Sequence, residues 1–132
     1  MQKTILVLSI FTAIIFTACQ KKDDTQPDPQ KVVINLLSPT DAQTLHTGDT
    51  LHMDADVTYP SELHGYEIEL SDSATGNVFF SDDEHVHSDH FSIRETWPDT
   101  LSQNTRLMLK ITVEVDHDGH EATKTVYINS IL

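Results

Sequence analysis

The feature that most constrains the fold is the alternation of apolar and polar residues in several segments. In 106–116, apolar side chains occupy every second position from Leu107 to Val115. A period of two is the repeat of a β-strand with one buried face, and beyond residue 18 no segment shows the helical repeat of 3.6. The segments predicted to be strands are 31–37, 50–59, 64–71, 78–81, 91–97, 106–116 and 122–131. The alternation therefore predicts an all-β domain.

Seven short strands in about 100 residues resemble an immunoglobulin-like or fibronectin-like β-sandwich. The resemblance lies in the strand pattern of residues 31–132, because the single cysteine of the chain, Cys19, excludes the disulfide of antibody domains. It implies one seven-stranded antiparallel sandwich, in which alternate loops lie at the same end.

Residues 1–18 have the pattern of a secretory signal peptide. Lys3 supplies the positive start, and the apolar run 5–16 is shorter than the roughly 20 residues of a membrane-spanning helix. Phe16-Thr17-Ala18-Cys19 then resembles the lipobox of bacterial lipoproteins, with Phe16 in place of the usual leucine. This resemblance implies cleavage before Cys19 and lipid on its sulfur.

The residues after Cys19 indicate where such a lipoprotein is displayed. Gln20-Lys21-Lys22-Asp23-Asp24 resembles the export signal of surface lipoproteins in Bacteroidetes-type bacteria, and the chain resembles the small His-rich lipoproteins of that group. The resemblance implies an outer-membrane lipoprotein on the cell surface, with the periplasmic face as the alternative. Residues 19–30, which contain Pro27 and Pro29, show no apolar periodicity and are predicted to be a flexible tether.

The acidic balance of the chain limits its partners. A formal net charge of −13 repels nucleic acid and anionic lipid headgroups, and it attracts cations. We therefore expect no nucleic-acid partner, and we expect contact with the membrane through the lipid on Cys19. The same charge also keeps an exported protein soluble, so charge alone does not indicate a cation site.

Segment 82–90 is the most informative polar stretch, because it contains three histidines and four carboxylates without lysine or arginine. His85 and His87 are two residues apart, the spacing that places side chains on one face of an extended chain. Imidazole suits zinc and copper, and carboxylates complete the ligand shell or orient the rings. The alternative is an acidic, solvated loop whose histidines bind nothing.

A second pair of histidines flanks the last predicted turn. Asp118-Gly119 between two alternating segments is typical of a two-residue type I′ hairpin turn. Such a turn makes His117 and His120 directly opposed across the hairpin and pairs Val115 with Ala122.

Three predicted loops, 60–63, 82–90 and 117–120, follow alternate strands and are expected at one pole of the sandwich. The histidines predicted there as metal ligands are His64, His85, His87, His90, His117 and His120. The acids predicted as further ligands or as partners of the rings are Glu84, Asp89, Asp118 and Glu121. Three or four neutral imidazoles suit a zinc or copper ion, with affinity falling below about pH 6 because imidazolium cannot bind a metal.

These features predict an envelope-anchored lipoprotein that binds zinc or copper for capture, buffering or delivery, with a metal transporter or another envelope protein as partner. The alternative is an immunoglobulin-like adhesion or assembly module that binds a protein or a glycan without metal. Calcium is not expected, since Thr125 stands where an EF-hand loop starting near Glu114 would need glutamate. No motif such as Gly-x-Ser-x-Gly indicates an enzyme.

Overall fold

The computed structural model describes residues 27–132, so the predicted signal peptide 1–18, Cys19 and the tether up to residue 26 lie outside the described residues. The described part contains a 3₁₀-helix, Pro29–Lys31, and six strands, and it has no α-helix. The strands are β1 (Val33–Ser38), β2 (Gln43–His46), β3 (Thr50–Asp72), β4 (Val78–Pro98), β5 (Thr105–Glu114) and β6 (Glu121–Ile131). The all-β prediction is confirmed. No helix in residues 27–132 is long and apolar enough to cross a membrane.

Two strands are much longer than predicted. β3 includes the predicted strands 50–59 and 64–71, and β4 includes the predicted strands 78–81 and 91–97. The predicted loops 60–63 and 82–90 are therefore parts of strands, and the prediction of seven strands is wrong. Prolines and runs of acids are rare in strands, which is why breaks were expected there. Pro60 is tolerated because it lies where the β3–β4 register shifts, between Thr58 and Leu63.

All six strands belong to one sheet that curls on itself. The order is β1-β3-β5-β6-β2, and β4 pairs with β3. The first half of β3 pairs with β1 and its second half pairs with β5, so β3 extends through both sides of the curl. β2 was not predicted, because Leu45 is the one buried apolar residue among its four. This strand runs parallel to β6. The result is an all-β fold of one curled sheet that is not purely antiparallel.

The inner side of the curled sheet holds a single hydrophobic core. In the first half of β3, Leu51 and Met53 point inward, and in the second half Ile68 and Leu70 do so, all with 0% exposure. The inward positions change from odd to even across the bend, which is the effect of a bulge on the alternation of a strand. The bend thus allows one strand to bury apolar side chains along both of its halves.

The β5–β6 hairpin has a different register from the predicted one. Val113, and not Val115, pairs with Ala122. The shift is two residues, so it leaves every side chain on its predicted face. The pairing places Lys124 opposite Ile111, whereas the predicted register placed it opposite Val113, so Lys124 faces an apolar residue in both.

The connection between β5 and β6 is longer than a type I′ turn. The backbone N–H of Val115 donates to the carbonyl of His120 at 2.8 Å, which leaves four residues between them. Asp116 Oδ1 accepts from the backbone N–H of Asp118 at 3.0 Å and of His120 at 3.1 Å. His117 and His120 are therefore not an opposed pair, and the predicted two-residue turn is wrong.

The N-terminal segment contacts the sheet within the predicted tether 19–30. The backbone N–H of Asp28 donates to the hydroxyl of Tyr59 at 3.0 Å. The side chain of Asp28 accepts from the N–H of Gln30 at 3.1 Å and caps the short helix. Within the described residues 27–132, contacts with the sheet are thus already made at Asp28.

Candidate metal centre

Four histidines from three distant segments meet at one end of the curled sheet. His64 lies in β3, His85 and His87 lie in β4, and His117 lies in the connection from β5 to β6. Ring centroids are 5.2 Å apart for His64–His87, 4.6 Å for His87–His85, 5.7 Å for His85–His117 and 4.3 Å for His117–His64. The rings thus form a closed loop of contacts, which we call the histidine cluster.

The extended backbone of β4 places His85 and His87 on the same face. Their Nε2 atoms lie 3.0 Å apart. Two nitrogens that bind one tetrahedral zinc ion at about 2.0–2.1 Å are separated by about 3.3–3.4 Å, so the pair is close to the spacing that a metal requires. The His87 side chain is 50% exposed, which leaves it accessible to an ion from solvent.

His64 reaches the cluster through the bend in β3. It follows Leu63, which is fully buried, and the His64 side chain is itself half-buried. Among the described residues, its Nδ1 atom is buried and has no hydrogen-bond partner. A buried polar atom without a partner costs about 1–3 kcal/mol. The Nδ1 atom of His64 therefore has no polar partner among the described residues.

Gly65 allows β4 to lie close to β3 beside the cluster. A Cβ atom at this position would lie 2.6 Å from the carbonyl oxygen of Glu84 and 3.5 Å from the Cα of His85. Gly65 pairs with His85 on one side and with Glu114 on the other. The absence of a side chain at Gly65 thus sets the position of the His85 backbone.

Glu62 supports His87 from outside the cluster. The Nδ1–H of His87 donates to Oε1 of Glu62 at 3.1 Å. A carboxylate on the ring nitrogen that faces away from a metal is the usual partner of a metal-binding histidine. The sequence offered no signal for Glu62, because it lies 25 residues from His87 and the bend in β3 brings the two together.

His90 and His120, both predicted as ligands, are outside the loop of ring contacts, and each pairs with a carboxylate. The Nδ1–H of His90 donates to Asp89 Oδ1, and that of His120 donates to Asp116 Oδ2, each at 2.6 Å. The hydrogen bond from His90 lowers the pKa of Asp89. Burial acts to raise the pKa of Asp116, but its hydrogen bonds with His120 and with the backbone of Asp118 together outweigh burial and hold that pKa below its usual value.

The predicted carboxylate partners have other surroundings. Glu84 Oε2 accepts from the hydroxyl of Tyr66 at 3.1 Å, and Asp89 binds the adjacent His90. Asp118 lies in the connection from β5 to β6, and Glu121 lies at the start of β6. Burial, followed by the hydrogen bond to Glu84, raises the pKa of the Tyr66 phenol, which therefore remains a neutral donor.

An acidic cavity of about 330 Å³ lies beside the histidine cluster. Its carboxylates are Glu67, Asp82, Asp83, Glu84 and Glu114. His85 lines the cavity and also belongs to the cluster. A concave surface with charges of one sign concentrates ions of the opposite sign, so the surroundings of His85 favour cations.

With the side chains as they stand in residues 27–132, no three His, Cys, Asp or Glu side chains are placed to hold a metal ion together. His85 and His87 provide two converging nitrogens. A third nitrogen requires a rotation of His64 or His117, whose rings already contact those of His87 and His85. His117 is exposed, and rotations of exposed side chains occur within nanoseconds, whereas His64 is half-buried.

Comparisons with known proteins concern the β architecture alone. The sequence matches no protein-family model, and no curated protein matches it. A CARDB domain from Pyrococcus furiosus, determined by solution NMR, is similar with a TM-score of 0.48 and 10% identity over 77% of this chain and 95% of that chain. The crystal structure of that CARDB domain in complex with di-metal ions gives a TM-score of 0.44 and 10% identity over 76% and 94%.

A third similar structure is that of Spo0M, the sporulation control protein of Bacillus subtilis, with a TM-score of 0.49 and 8% identity over 77% of this chain. The match covers 49% of that chain, so this protein spans about half of the Spo0M structure. None of these similarities carries a site residue over to this chain.

Proposed function

We propose that this protein binds a divalent transition-metal ion, zinc or copper, at the histidine cluster. The observation that carries the proposal is the approach of the His85 and His87 Nε2 atoms to 3.0 Å. The rings of His64 and His117 close the group on its other side, and the buried, unpartnered Nδ1 of His64 supports a further donor there.

The chemistry of the donors favours borderline divalent ions. Neutral imidazole is a good ligand for Zn²⁺ and Cu²⁺, and nitrogen sites generally bind Cu²⁺ more tightly. The sole cysteine of the chain is Cys19, so residues 27–132 offer no thiolate that would select a softer ion. The acidic cavity beside His85 favours the approach of a cation over that of an anion.

The proposed ligand set is smaller than the set predicted from sequence. We assign His85 and His87 as the first two ligands, and His64 and His117 as the residues that complete the shell after a ring rotation. His90 and His120 are left out, because their rings are outside the loop of contacts that the four cluster histidines form.

The cellular setting of this site is also a proposal. The lipobox ending at Cys19 and the acidic segment after it support an outer-membrane lipoprotein displayed on the cell surface. A metal site on such an anchored domain would serve capture, buffering or delivery of the ion, with an envelope transporter as recipient.

A metal-independent role in binding a protein or a glycan is the second candidate. It is favoured by β4, which among the described strands pairs with β3 alone and so exposes the backbone of its outer edge. Asp82, Asp83 and Glu84 lie on that strand, so a basic extended segment would be the preferred partner.

Zinc titration of the mature chain, purified without a polyhistidine tag, separates the two functions. We expect one ion per chain and a rise in melting temperature that EDTA reverses, since a ligand at 100 times its Kd stabilises the folded state by about 2.7 kcal/mol. A variant with alanine at all four cluster positions is the control and should show no rise. If neither zinc nor copper changes the melting temperature of the wild-type protein, the metal proposal is wrong.

A further inference from the structure

We propose that Glu62 is a positioning residue of the histidine cluster, which sets the tautomer of His87 so that its Nε2 is offered to the metal. This inference rests on the proposed metal-binding function. It starts from two distances, 3.1 Å from His87 Nδ1 to Glu62 Oε1 and 3.0 Å from His87 Nε2 to His85 Nε2.

The first distance determines where the proton of a neutral His87 ring lies. An ionised carboxylate only accepts hydrogen bonds, so the Nδ1 atom that faces Glu62 must carry the proton. Neutral imidazole has one N–H, which leaves a lone pair on the Nε2 atom of His87. That lone pair points toward His85, because the two Nε2 atoms are within hydrogen-bond distance.

The second distance then determines the tautomer of His85 in the metal-free protein. Since the Nε2 atom of His87 accepts, the Nε2 atom of His85 must donate, and a neutral His85 carries its proton there. A metal that binds both Nε2 atoms replaces this proton, which moves to Nδ1 of His85 so that the ring stays a neutral imidazole. Metal binding thus changes the protonation pattern of His85 and leaves that of His87 unchanged.

The exposure of the pair favours a positioning role over a structural one. The side chains of Glu62 and His87 are 59% and 50% exposed, and ion pairs with this exposure contribute little to folding stability. Glu62 lies where the β3–β4 register shifts, so it is free of the regular strand pairing and can reach across to β4. Removal of Glu62 should therefore affect the ring of His87 far more than the fold.

Nitrogen-15 NMR of the metal-free protein tests the tautomers directly. In the wild type we expect the Nδ1–H form of His87 and the Nε2–H form of His85. In Glu62→Ala we expect His87 to change largely to the Nε2–H form, which is the more stable one in solution. Glu69→Ala removes the same charge from the same strand and should leave both rings as in the wild type. An Nε2–H form of His87 in the wild-type protein would overturn the proposal.

Zinc affinity tests the consequence for the site. Loss of an outer partner of a metal-binding histidine usually weakens binding about 10–100-fold, which we expect for Glu62→Ala with an unchanged melting temperature of the metal-free protein. Glu69→Ala should bind zinc as the wild type does. Unchanged affinity in Glu62→Ala overturns the positioning role while the metal site stands. No binding in the wild type overturns the proposed function, and the NMR result still decides whether Glu62 sets the tautomer.

Discussion

The Nε2 atoms of His85 and His87 lie 3.0 Å apart on a strand that continues through the most acidic segment of the chain. Because β4 is extended there, residues two apart share a face and their rings turn toward the same point. In an irregular loop the same two residues would have no reason to converge. The paired backbone of β3 and β4 therefore matters to the site as much as the imidazoles do.

Replacement of either converging histidine should remove most of the metal affinity. Structural zinc in zinc-finger peptides binds with about 10–16 kcal/mol in total, so the loss of one ligand should cost several kcal/mol, or about 100-fold or more in Kd. We expect this for His85→Ala and for His87→Ala in calorimetric zinc titrations.

His90→Ala is the matched control, because it removes an imidazole from the same strand without touching the histidine cluster. His90 is 77% exposed and pairs with the neighbouring Asp89. The zinc affinity of His90→Ala should equal that of the wild type. A loss of zinc affinity as large as that of His87→Ala would disprove the assignment of the ligands.

Gly65→Ala should reduce both stability and metal affinity. The new Cβ would meet the Glu84 carbonyl oxygen at 2.6 Å, so β4 must move away from β3 at His85. Overpacking of this kind costs about 1–3 kcal/mol of unfolding free energy, measurable by urea denaturation. Gly76→Ala is the control, since the space around Gly76 is open and its φ of 73° is the sole source of strain. Gly76→Ala should lower the unfolding free energy and leave zinc binding intact. Equal zinc affinity in Gly65→Ala and Gly76→Ala would count against a role for Gly65 in placing His85.

Asp56→Asn should destabilise the protein in a pH-dependent manner. The hydrogen bond from Arg94, followed by that from Ser92, lowers the pKa of Asp56 against a smaller opposing effect of burial. A carboxyl whose pKa is lower in the folded state contributes stability above its unfolded pKa of about 3.9 and loses that contribution as the pH falls through the folded value. The difference in urea midpoint between wild type and variant should therefore be present at pH 7 and shrink below pH 4. A difference that is constant with pH would exclude this linkage.

Ser130→Ala should be more destabilising than the loss of a single hydroxyl group suggests. Its hydroxyl donates to Oδ2 of Asp99 at 2.6 Å, and both side chains are 1% exposed. The variant leaves a buried carboxylate oxygen without this donor, which costs about 1–3 kcal/mol. Ser92→Ala, which removes an exposed hydroxyl bonded to Asp56, is the comparison and should cost much less in thermal unfolding. Equal losses in the two variants would contradict the argument from burial.

Much of the candidate site could be predicted from sequence because strand alternation places residues on faces. His64 has the same parity in the sequence as the buried Tyr66 and Ile68, and His117 follows a strand whose apolar residues are buried. The sequence predicted that His64, His87 and His117 meet at the ends of alternate loops. They do meet, but 60–63 and 82–90 are parts of strands, and the pairing of β3 with β4 brings the rings of His64 and His87 together. The partners of each ring could not be predicted, because a rotamer depends on neighbours that are distant in the chain.

By itself the sequence determined the all-β class, the buried faces of the strands and the segments that supply the histidines, since these follow from local alternation and residue type. Only the tertiary structure decided that 60–63 and 82–90 are strand, that His85 and His87 converge, that Glu62 holds the ring of His87, and that His120 turns to Asp116. The physical reason is that proline and acidic residues disfavour a strand locally, while the pairing of β3 with β4 over both halves of a bent hairpin outweighs that preference.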